Sequence, residues 1–136
     1  MYALEITHMP TLQARQRVRE VLQLVDLSDK ANAYPHELSG GQQQRTVIAR
    51  ALANKPKILI ADEPTGNLDP KKSGEIIELL EKINREEKTT ILMVTHDIGM
   101  VETYKKRTIV LDSGHLANDV KEGGYHHHVE LPTETA

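Results

Sequence analysis

Residues 57–64 read KILIADEP, and this stretch decides the fold class. The apolar run from Ile58 to Ala61 shows no polar alternation, which is typical of a short strand buried on both faces. A second apolar run, TTILMV at residues 89–94, has the same character, and a helical pattern separates the two runs. The order strand, helix, strand predicts an α/β fold with at least one pair of parallel strands.

Helical periodicity outside these runs predicts four helices. A polar segment containing Pro35 separates the first two and is predicted to be a loop with a short helix. Near the C-terminus, RTIVLD and HLAND flank Ser113-Gly114, which predicts a hairpin. The helices are expected from about Thr11 to Val25, from after Ser39 to before Pro56, from Asp69-Pro70 to about Glu86, and from Ile98 to Tyr104.

The periodicity also predicts which helix faces are buried. In the first helix the four arginine and glutamate positions Arg15, Arg17, Arg19 and Glu20 are expected off the buried face. The residues expected to be buried are Val18, Val21, Leu22 and Val25 in the first helix, Val47, Ile48, Ala51 and Leu52 in the second, and Ile76, Ile77, Leu79, Leu80 and Ile83 in the third.

The composition excludes several classes of protein. The chain has 136 residues, a mean hydropathy of −0.48 and no cysteine, so neither a disulfide framework nor thiolate chemistry is possible. No apolar run approaches the length of about 18–20 residues that spans a membrane, and the first ten residues lack the pattern of a secretory signal. A net charge of −3 without a long basic run argues against binding to a nucleic-acid backbone.

The acids Asp62 and Glu63 stand where the first apolar run ends. Ligands of open α/β sheets gather beyond the carboxyl ends of strands, so Asp62 is a candidate Mg²⁺ ligand, directly or through water. Glu63 is a candidate for polarising a water that attacks a phosphate. His96 follows the second strand and could orient a water or contact a terminal phosphate oxygen. Solvent-facing acids and a hydrogen-bonded surface histidine are the alternatives.

The stretch LSGGQQQR, residues 38–45, joins a serine and two glycines to the start of a helix. Gly40 and Gly41 allow close backbone approach and unusual dihedral angles, and Ser39 offers a hydroxyl. Unpaired amides and the positive end of the helix dipole favour an anion at this point. A glycine-containing N-cap without a ligand is the alternative.

Taken together, LSGGQQQR, ILIADEP, GNLD (66–69) and His96 resemble the ABC-type ATPases. The resemblance is close over about residues 36–97 and looser elsewhere. Within the family, DEPTGNLDP and its flanks look most like the FtsE-like cell-division branch, with lipoprotein- and macrolide-export ATPases as alternatives. The resemblance implies a partial P-loop NTPase fold, truncated on its N-terminal side, in which parallel strands are packed with helices.

The resemblance also implies roles for individual residues. Asp62 matches the Walker B aspartate that supports Mg²⁺, Glu63 matches the general base, and His96 matches the switch histidine that senses the γ-phosphate. Two further sets face the opposite subunit of an ATPase homodimer. The first set is the signature, Ser39, Gly40, Gly41 and Gln42, which contacts the γ-phosphate of ATP held by the opposite subunit. The second set is the D-loop, Asn67, Leu68 and Asp69.

The implied cofactors are ATP and Mg²⁺. The implied partners are a second ATPase subunit and a membrane permease-like, FtsX-like subunit, with the protein in the cytoplasm on the inner face of the plasma membrane. The implied function is to couple ATP binding and hydrolysis to that membrane partner in cell division. By the same resemblance residues 1–37 belong to the helical subdomain, 38–120 to the ATP-binding core and 121–136 to a mobile tail, in which His126, His127 and His128 are not expected to bind metal.

The sequence departs from the family because no GxxxxGK[ST] occurs in it, nor an adenine-stacking loop or Q-loop. Positioning the phosphates is most of phosphoryl-transfer catalysis, so we expect this chain alone not to hydrolyse ATP. The strands KILIA and TTILMV are then expected to keep open apolar edges and faces.

Two other functions stay possible. One is a non-catalytic module that supplies a signature face to a complete ATPase. The other is a DNA-repair or chromosome ATPase, although no coiled coil or zinc insert precedes Leu38. No nucleic-acid partner is expected.

Overall fold

The structure is a computed structural model that describes residues 10–121 of the 136. The greater part of the predicted tail, including the three adjacent histidines, lies outside the described residues. The chain forms two units, the first ending at Val94 and the second beginning at Thr95. Among residues 10–121, no helix is both long enough and apolar enough to cross a membrane.

The described part of the first unit, residues 10–94, contains three helices and two strands, at the positions that the sequence predicts. Two short 3₁₀ turns, Ser28–Lys30 and Pro35–Glu37, occupy the predicted loop. Each of the second and third helices begins at a residue whose side chain accepts a backbone N–H, as N-cap residues do. The elements are α1 (Thr11–Leu24), α2 (Gly40–Leu52), β1 (Ile58–Asp62), α3 (Pro70–Glu87) and β2 (Thr90–Val94).

Strands β1 and β2 pair in parallel, which confirms the predicted α/β arrangement. The register runs from Ile58 opposite Thr90 to Asp62 opposite Val94. The N–H of Glu63 donates to the carbonyl oxygen of Val94 at 2.9 Å and so extends the pairing by one residue. The carboxyl end of β1 therefore stays held to β2 up to the first candidate site residues.

The prediction that both faces of the strands are buried is wrong for this chain. Leu59 is only 7% exposed, whereas Ile60 is 66% exposed and Leu92 is 50% exposed. Side chains alternate across a strand, and within the described residues only the face that carries Leu59 is buried or half-buried. The other expectation, that apolar strand faces are open, is confirmed.

Helix α1 buries a charged residue that periodicity placed off the buried face. Arg17 is 6% exposed, and its guanidinium donates to the carbonyl oxygens of Leu52 at 2.9 Å and Ala53 at 3.2 Å. The same group pairs with Glu87 at 3.5 Å. The last carbonyls of a helix have no partner within it, so Arg17 satisfies them with a positive charge at the favourable end of the α2 dipole.

The buried faces of α2 and α3 differ in how well periodicity predicts them. All five apolar residues predicted for α3 are buried. In α2, Ile48 and Leu52 are buried as predicted, but Val47 is 48% exposed and Ala49 is buried in place of Ala51. Helix α2 packs against both α1 and α3, so its buried stripe is set by two neighbours rather than one.

Over residues 95–121, the second unit contains one helix and the predicted hairpin. Helix α4 (Ile98–Tyr104) is followed by antiparallel strands β3 (Thr108–Asp112) and β4 (His115–Val120), with a register irregularity after Val110. The hairpin turn has positive φ angles at both central residues, 49° at Ser113 and 80° at Gly114, which is the geometry that fits the twist of paired strands. At its open end, Arg107 donates to both carboxylate oxygens of Asp119, at 2.9 and 2.7 Å.

Candidate functional site

The start of α2 is built as a capping box. The hydroxyl oxygen of Ser39 accepts the N–H of Gln42 at 3.4 Å, and the side-chain oxygen of Gln42 accepts the N–H of Ser39 at 2.9 Å. The amides of Gly40 and Gly41 occupy the first two helical positions, where no carbonyl within the helix reaches them. Ser39 keeps its hydroxyl proton as a donor, so three donors converge at the positive end of the helix dipole.

The side chain of a neighbouring glutamine, Gln43, forms hydrogen bonds with the loop that leads into this helix. Gln43 donates both hydrogens of its side-chain amide, to the carbonyl oxygens of Pro35 at 3.0 Å and Leu38 at 3.1 Å. The backbone immediately before Ser39 is therefore tied to the first turns of α2. Gln43 could not be recognised from the sequence, because a glutamine inside a glutamine run carries no distinguishing pattern.

The two glycines have ordinary helical dihedral angles, so neither uses the unusual backbone conformations that glycine allows. A β-carbon at Gly40 would lie 3.7 Å from Leu68 Cδ2, and one at Gly41 would lie 3.6 Å from Lys72 Cδ. These are ordinary van der Waals distances, so alanine would fit at both positions. The packing of this unit therefore does not require glycine at either position, and the exposed front of the helix stays bare.

The acids at the end of β1 occupy different surroundings. Asp62 is exposed, whereas Glu63 is half-buried and has a φ of 44°. The other described non-glycine residues with positive φ follow helix ends or lie in the hairpin turn, where such angles are common. Glu63 is the exception, and unfavourable backbone conformations of this kind are concentrated at functional sites.

The segment after Glu63 folds into two consecutive turns and then an N-cap. The N–H of Gly66 donates to the carbonyl oxygen of Glu63 at 3.2 Å, and that of Leu68 donates to Thr65 at 3.1 Å. Asp69 then caps α3 by accepting the N–H of Lys72 at 3.1 Å. This confirms the predicted Asp69-Pro70 helix start and places the candidate D-loop directly beside the start of α2.

Lys72 is a residue of this region that the sequence analysis missed. Its ammonium lies 2.7 Å from a carboxylate oxygen of Asp69. The hydrogen bond between the two side chains lowers the pKa of Asp69 and raises the pKa of Lys72. The pair is exposed to solvent on both sides, so it contributes little to stability. The only signal in the sequence was the i, i+3 spacing of the two charges.

His96 lies in the second unit. There it lines a cavity of about 320 Å³ together with Thr95, Asp97 and residues of α4 and β3. Asp97 caps α4 by accepting the N–H of Met100 at 3.0 Å. The first unit thus holds the candidate signature beside Leu68 of the D-loop, and the two acids at the end of β1, while His96 belongs to the other unit.

The donor set at the end of β1 fits Mg²⁺ as a single-carboxylate site. Asp62 is exposed and supplies carboxylate oxygens, the ligand type that Mg²⁺ prefers. Among residues 10–121, no group of three or more histidine, cysteine or acidic side chains could hold a metal ion. Mg²⁺ commonly keeps several waters and binds through one or two carboxylates plus substrate phosphates, so one exposed aspartate is compatible with it.

Comparison with known proteins places this geometry in a family. The family model described as ABC transporter matches residues 3–66. The cell division ATP-binding protein FtsE of Streptococcus pneumoniae is 51% identical over 124 residues, which are 91% of this chain and 54% of FtsE. The methionine import ATP-binding protein MetN of Corynebacterium jeikeium is 45% identical over 136 residues, 99% of this chain and 36% of MetN.

Solved structures agree. A dimeric bacterial ABC transporter cassette matches with a TM-score of 0.67 and 44% identity, over 86% of this chain and 50% of the cassette. The same cassette in a post-hydrolysis state, bound to ADP and phosphate, matches with a TM-score of 0.66 at 43% identity, over 86% of this chain and 50% of that one. The chain therefore spans about half the length of the FtsE and cassette chains that it matches. With this likeness in sequence and fold, and with its serine-glycine helix start beside the loop that Asp69 caps, the chain belongs to the ABC transporter family.

Proposed function

We propose that this chain is the C-terminal portion of an ABC ATP-binding subunit of the FtsE type. In this proposal it couples ATP binding and hydrolysis to a membrane partner that acts in cell division. The observation that carries the proposal is the bare front of α2. Ser39 and the amides of Gly40 and Gly41 present donors there, although alanine would fit at both glycines. A surface kept free of side chains without an internal reason is suited to close approach by an external ligand.

The ligand of that surface is the γ-phosphate of an ATP molecule held by a second subunit. Donors at a helix N-terminus favour an anion, and a terminal phosphate carries the required charge. In this proposal the D-loop (residues 67–69) lies along the same subunit interface, because Leu68 is adjacent to Gly40. Asp62 supports Mg²⁺, which would neutralise developing phosphate charge when bound. Glu63 positions the attacking water, and His96 senses the γ-phosphate.

The isolated chain should not turn over ATP. No GxxxxGK[ST] occurs in the sequence, so nothing in it cradles the β- and γ-phosphates on the same subunit. Phosphate release by the purified chain is expected to equal the buffer background, and Glu63→Gln should leave it unchanged. A steady turnover that Glu63→Gln abolishes would contradict this expectation.

The proposed contact in trans can be tested by mixing. The purified chain would be combined with Streptococcus pneumoniae FtsE whose general base has been replaced to block hydrolysis. We expect association in analytical ultracentrifugation with Mg-ATP and not with Mg-ADP. Ser39→Arg should abolish it by filling the front of α2, while Ser28→Arg, in the exposed turn before that region, serves as the matched control. Association that is independent of ATP, or indifferent to Ser39→Arg, would overturn the proposal.

Methionine import is the second candidate, and one observation favours it. The MetN match extends over 99% of this chain, whereas the FtsE match covers 91%. Co-expression of the chain's natural gene with FtsX and, separately, with a methionine-import permease would decide between them. Recovery with FtsX alone supports the cell-division role, and recovery with the import permease alone replaces it.

A further inference from the structure

Lys72 makes contacts in two directions from the first turn of α3. The Cδ and Cγ atoms of its stem lie 3.6 and 4.0 Å from the point where a β-carbon of Gly41 would stand. Its ammonium lies 2.7 Å from Asp69. One side chain therefore spans from the start of α2 to the candidate D-loop.

The pairing of Lys72 with Asp69 fixes both oxygens of that carboxylate. One oxygen accepts the backbone N–H of Lys72 at 3.1 Å, and the other pairs with the Lys72 ammonium at 2.7 Å. The residue before it, Lys71, is exposed, and among the described residues no hydrogen bond or ion pair is seen for its side chain. Two adjacent lysines on one helix turn thus differ in their contacts.

Lys72 stands in the first turn of α3, directly after the residues of the candidate D-loop. A cation in the first turn is unfavourable because it faces the positive end of the helix dipole. The charge of Lys72 is compensated by Asp69, the residue that caps α3, and by Glu75 one turn further along, while the stem lies beside the Gly41 position. The adjacent contact of Leu68 with the Gly40 position, at 3.7 Å, completes a continuous surface from the signature to the D-loop.

We propose that Lys72 is a positioning residue that fastens the D-loop to the start of α2, so that both meet the nucleotide-bearing second subunit in one fixed geometry. The expected effect of Lys72 on association with the second subunit rests on the proposed function. The fastening itself is a property of the chain alone, and it can be measured without ATP.

Four variants separate the parts of the side chain. Lys72→Met keeps most of the stem and removes the ammonium, Lys72→Ala removes both, and Lys72→Arg restores a cation. Lys71→Met is the matched control, since it removes the same charge one residue away. Amide hydrogen exchange at Gln43, Gly66 and Leu68, whose N–H groups are hydrogen-bonded at the start of α2 and in the candidate D-loop segment, would be followed by NMR in the 136-residue chain.

Lys72→Met should speed exchange at these amides by about two- to five-fold, which is the range expected for an exposed ion pair. Lys72→Ala should speed it further, and Lys72→Arg should return it to within about two-fold of the wild type. Lys71→Met should have no effect on these amides. Equal exchange in Lys72→Met and Lys71→Met, or a failure of Lys72→Arg to restore slow exchange, would overturn the inference.

The ATP-dependent association with FtsE gives the functional readout. Lys72→Met should weaken that association by a similar factor and Lys72→Arg should restore it, while the urea midpoint of the chain alone shifts only by the small amount expected for an exposed ion pair. If the wild-type chain does not associate at all, the proposed function fails. The exchange measurement still decides the role of Lys72 in that case.

Discussion

The two faces of the β1–β2 sheet carry the same class of side chain in opposite surroundings. Leu59 is 7% exposed on the packed face, and the next residue, Ile60, is 66% exposed on the other face. Ile58, Leu92 and Val94 share the exposure of Ile60, at 50% or more each. The comparison teaches that a continuous apolar run predicts a strand, whereas the burial of each face depends on whether a second layer covers it.

The largest effect should come from truncating the packed face. Leu59→Ala removes a buried side chain and leaves a cavity, so it should lower the free energy of unfolding by about 2–4 kcal/mol. Ile60→Ala is the matched control on the open face and should change it by no more than about 0.5 kcal/mol. Urea titration monitored by circular dichroism gives both values. Equal losses at the two positions would mean that both faces are covered in solution.

The next largest effect on the free energy of unfolding should come from replacing a buried charged residue, Arg17. Arg17→Met should lower the free energy of unfolding by about 2 kcal/mol, because the buried carbonyl oxygens of Leu52 and Ala53 lose their charged donor. Arg15→Met, at an exposed position on the same helix, should be nearly neutral. If the two arginine variants are equally stable in urea, the buried guanidinium contacts do not form in solution.

The open face should be visible to a dye that binds apolar surface. The double variant Ile60→Thr and Leu92→Thr should reduce the fluorescence of bound anilinonaphthalene sulfonate while changing the free energy of unfolding by less than about 1 kcal/mol. Leu12→Gln, which removes an apolar side chain that is 79% exposed on α1, is the control and should leave dye binding largely unchanged. Dye binding that survives the double variant would place the apolar surface elsewhere.

The smallest effect concerns the exposed pair of Asp69 and Lys72. The pKa of Asp69 is lowered by Lys72, so its contribution is present above the ordinary pKa of about 4 and is lost as pH falls through the lowered value. The pKa of Lys72 is raised, so its contribution is lost only as pH rises through that raised value. Asp69→Asn keeps a good N-cap and removes the charge.

The measurement is the difference in urea midpoint between wild type and Asp69→Asn as a function of pH. The midpoint of the wild type should be slightly higher than that of Asp69→Asn at pH 7, and the two midpoints should become equal well below pH 4. A difference that grows as pH falls would have the wrong sign for an ionised Asp69 stabilised by Lys72.

Much of the fold could be predicted because its signals are local. Asp69-Pro70 marks a helix start by its own chemistry, and Ser113-Gly114 marks a hairpin turn in the same way. The burial of Arg17 could not be predicted, although its spacing from Ala14 and Val21 fits the buried stripe of α1. Its burial depends on the carbonyls at the end of α2, more than thirty residues away.

In the candidate site, too, the features set by local sequence could be predicted, and those set by tertiary packing could not. Ser39 and Gly40 could be recognised from their order in the sequence, and the capping box follows from the spacing of Ser39 and Gln42. The contact between the signature and the D-loop could not, because it exists only once α2 packs against α3. The role of Lys72 was hidden for that reason.

The bare start of α2 also has a meaning for protein engineering. A programme that raises heat tolerance by replacing helical glycines would choose Gly40 and Gly41 early, since alanine fits at both and each exchange gains up to about 1 kcal/mol. Selection by melting temperature alone would accept these variants. The improved protein would then carry two methyl groups where its nucleotide-bearing neighbour is proposed to dock.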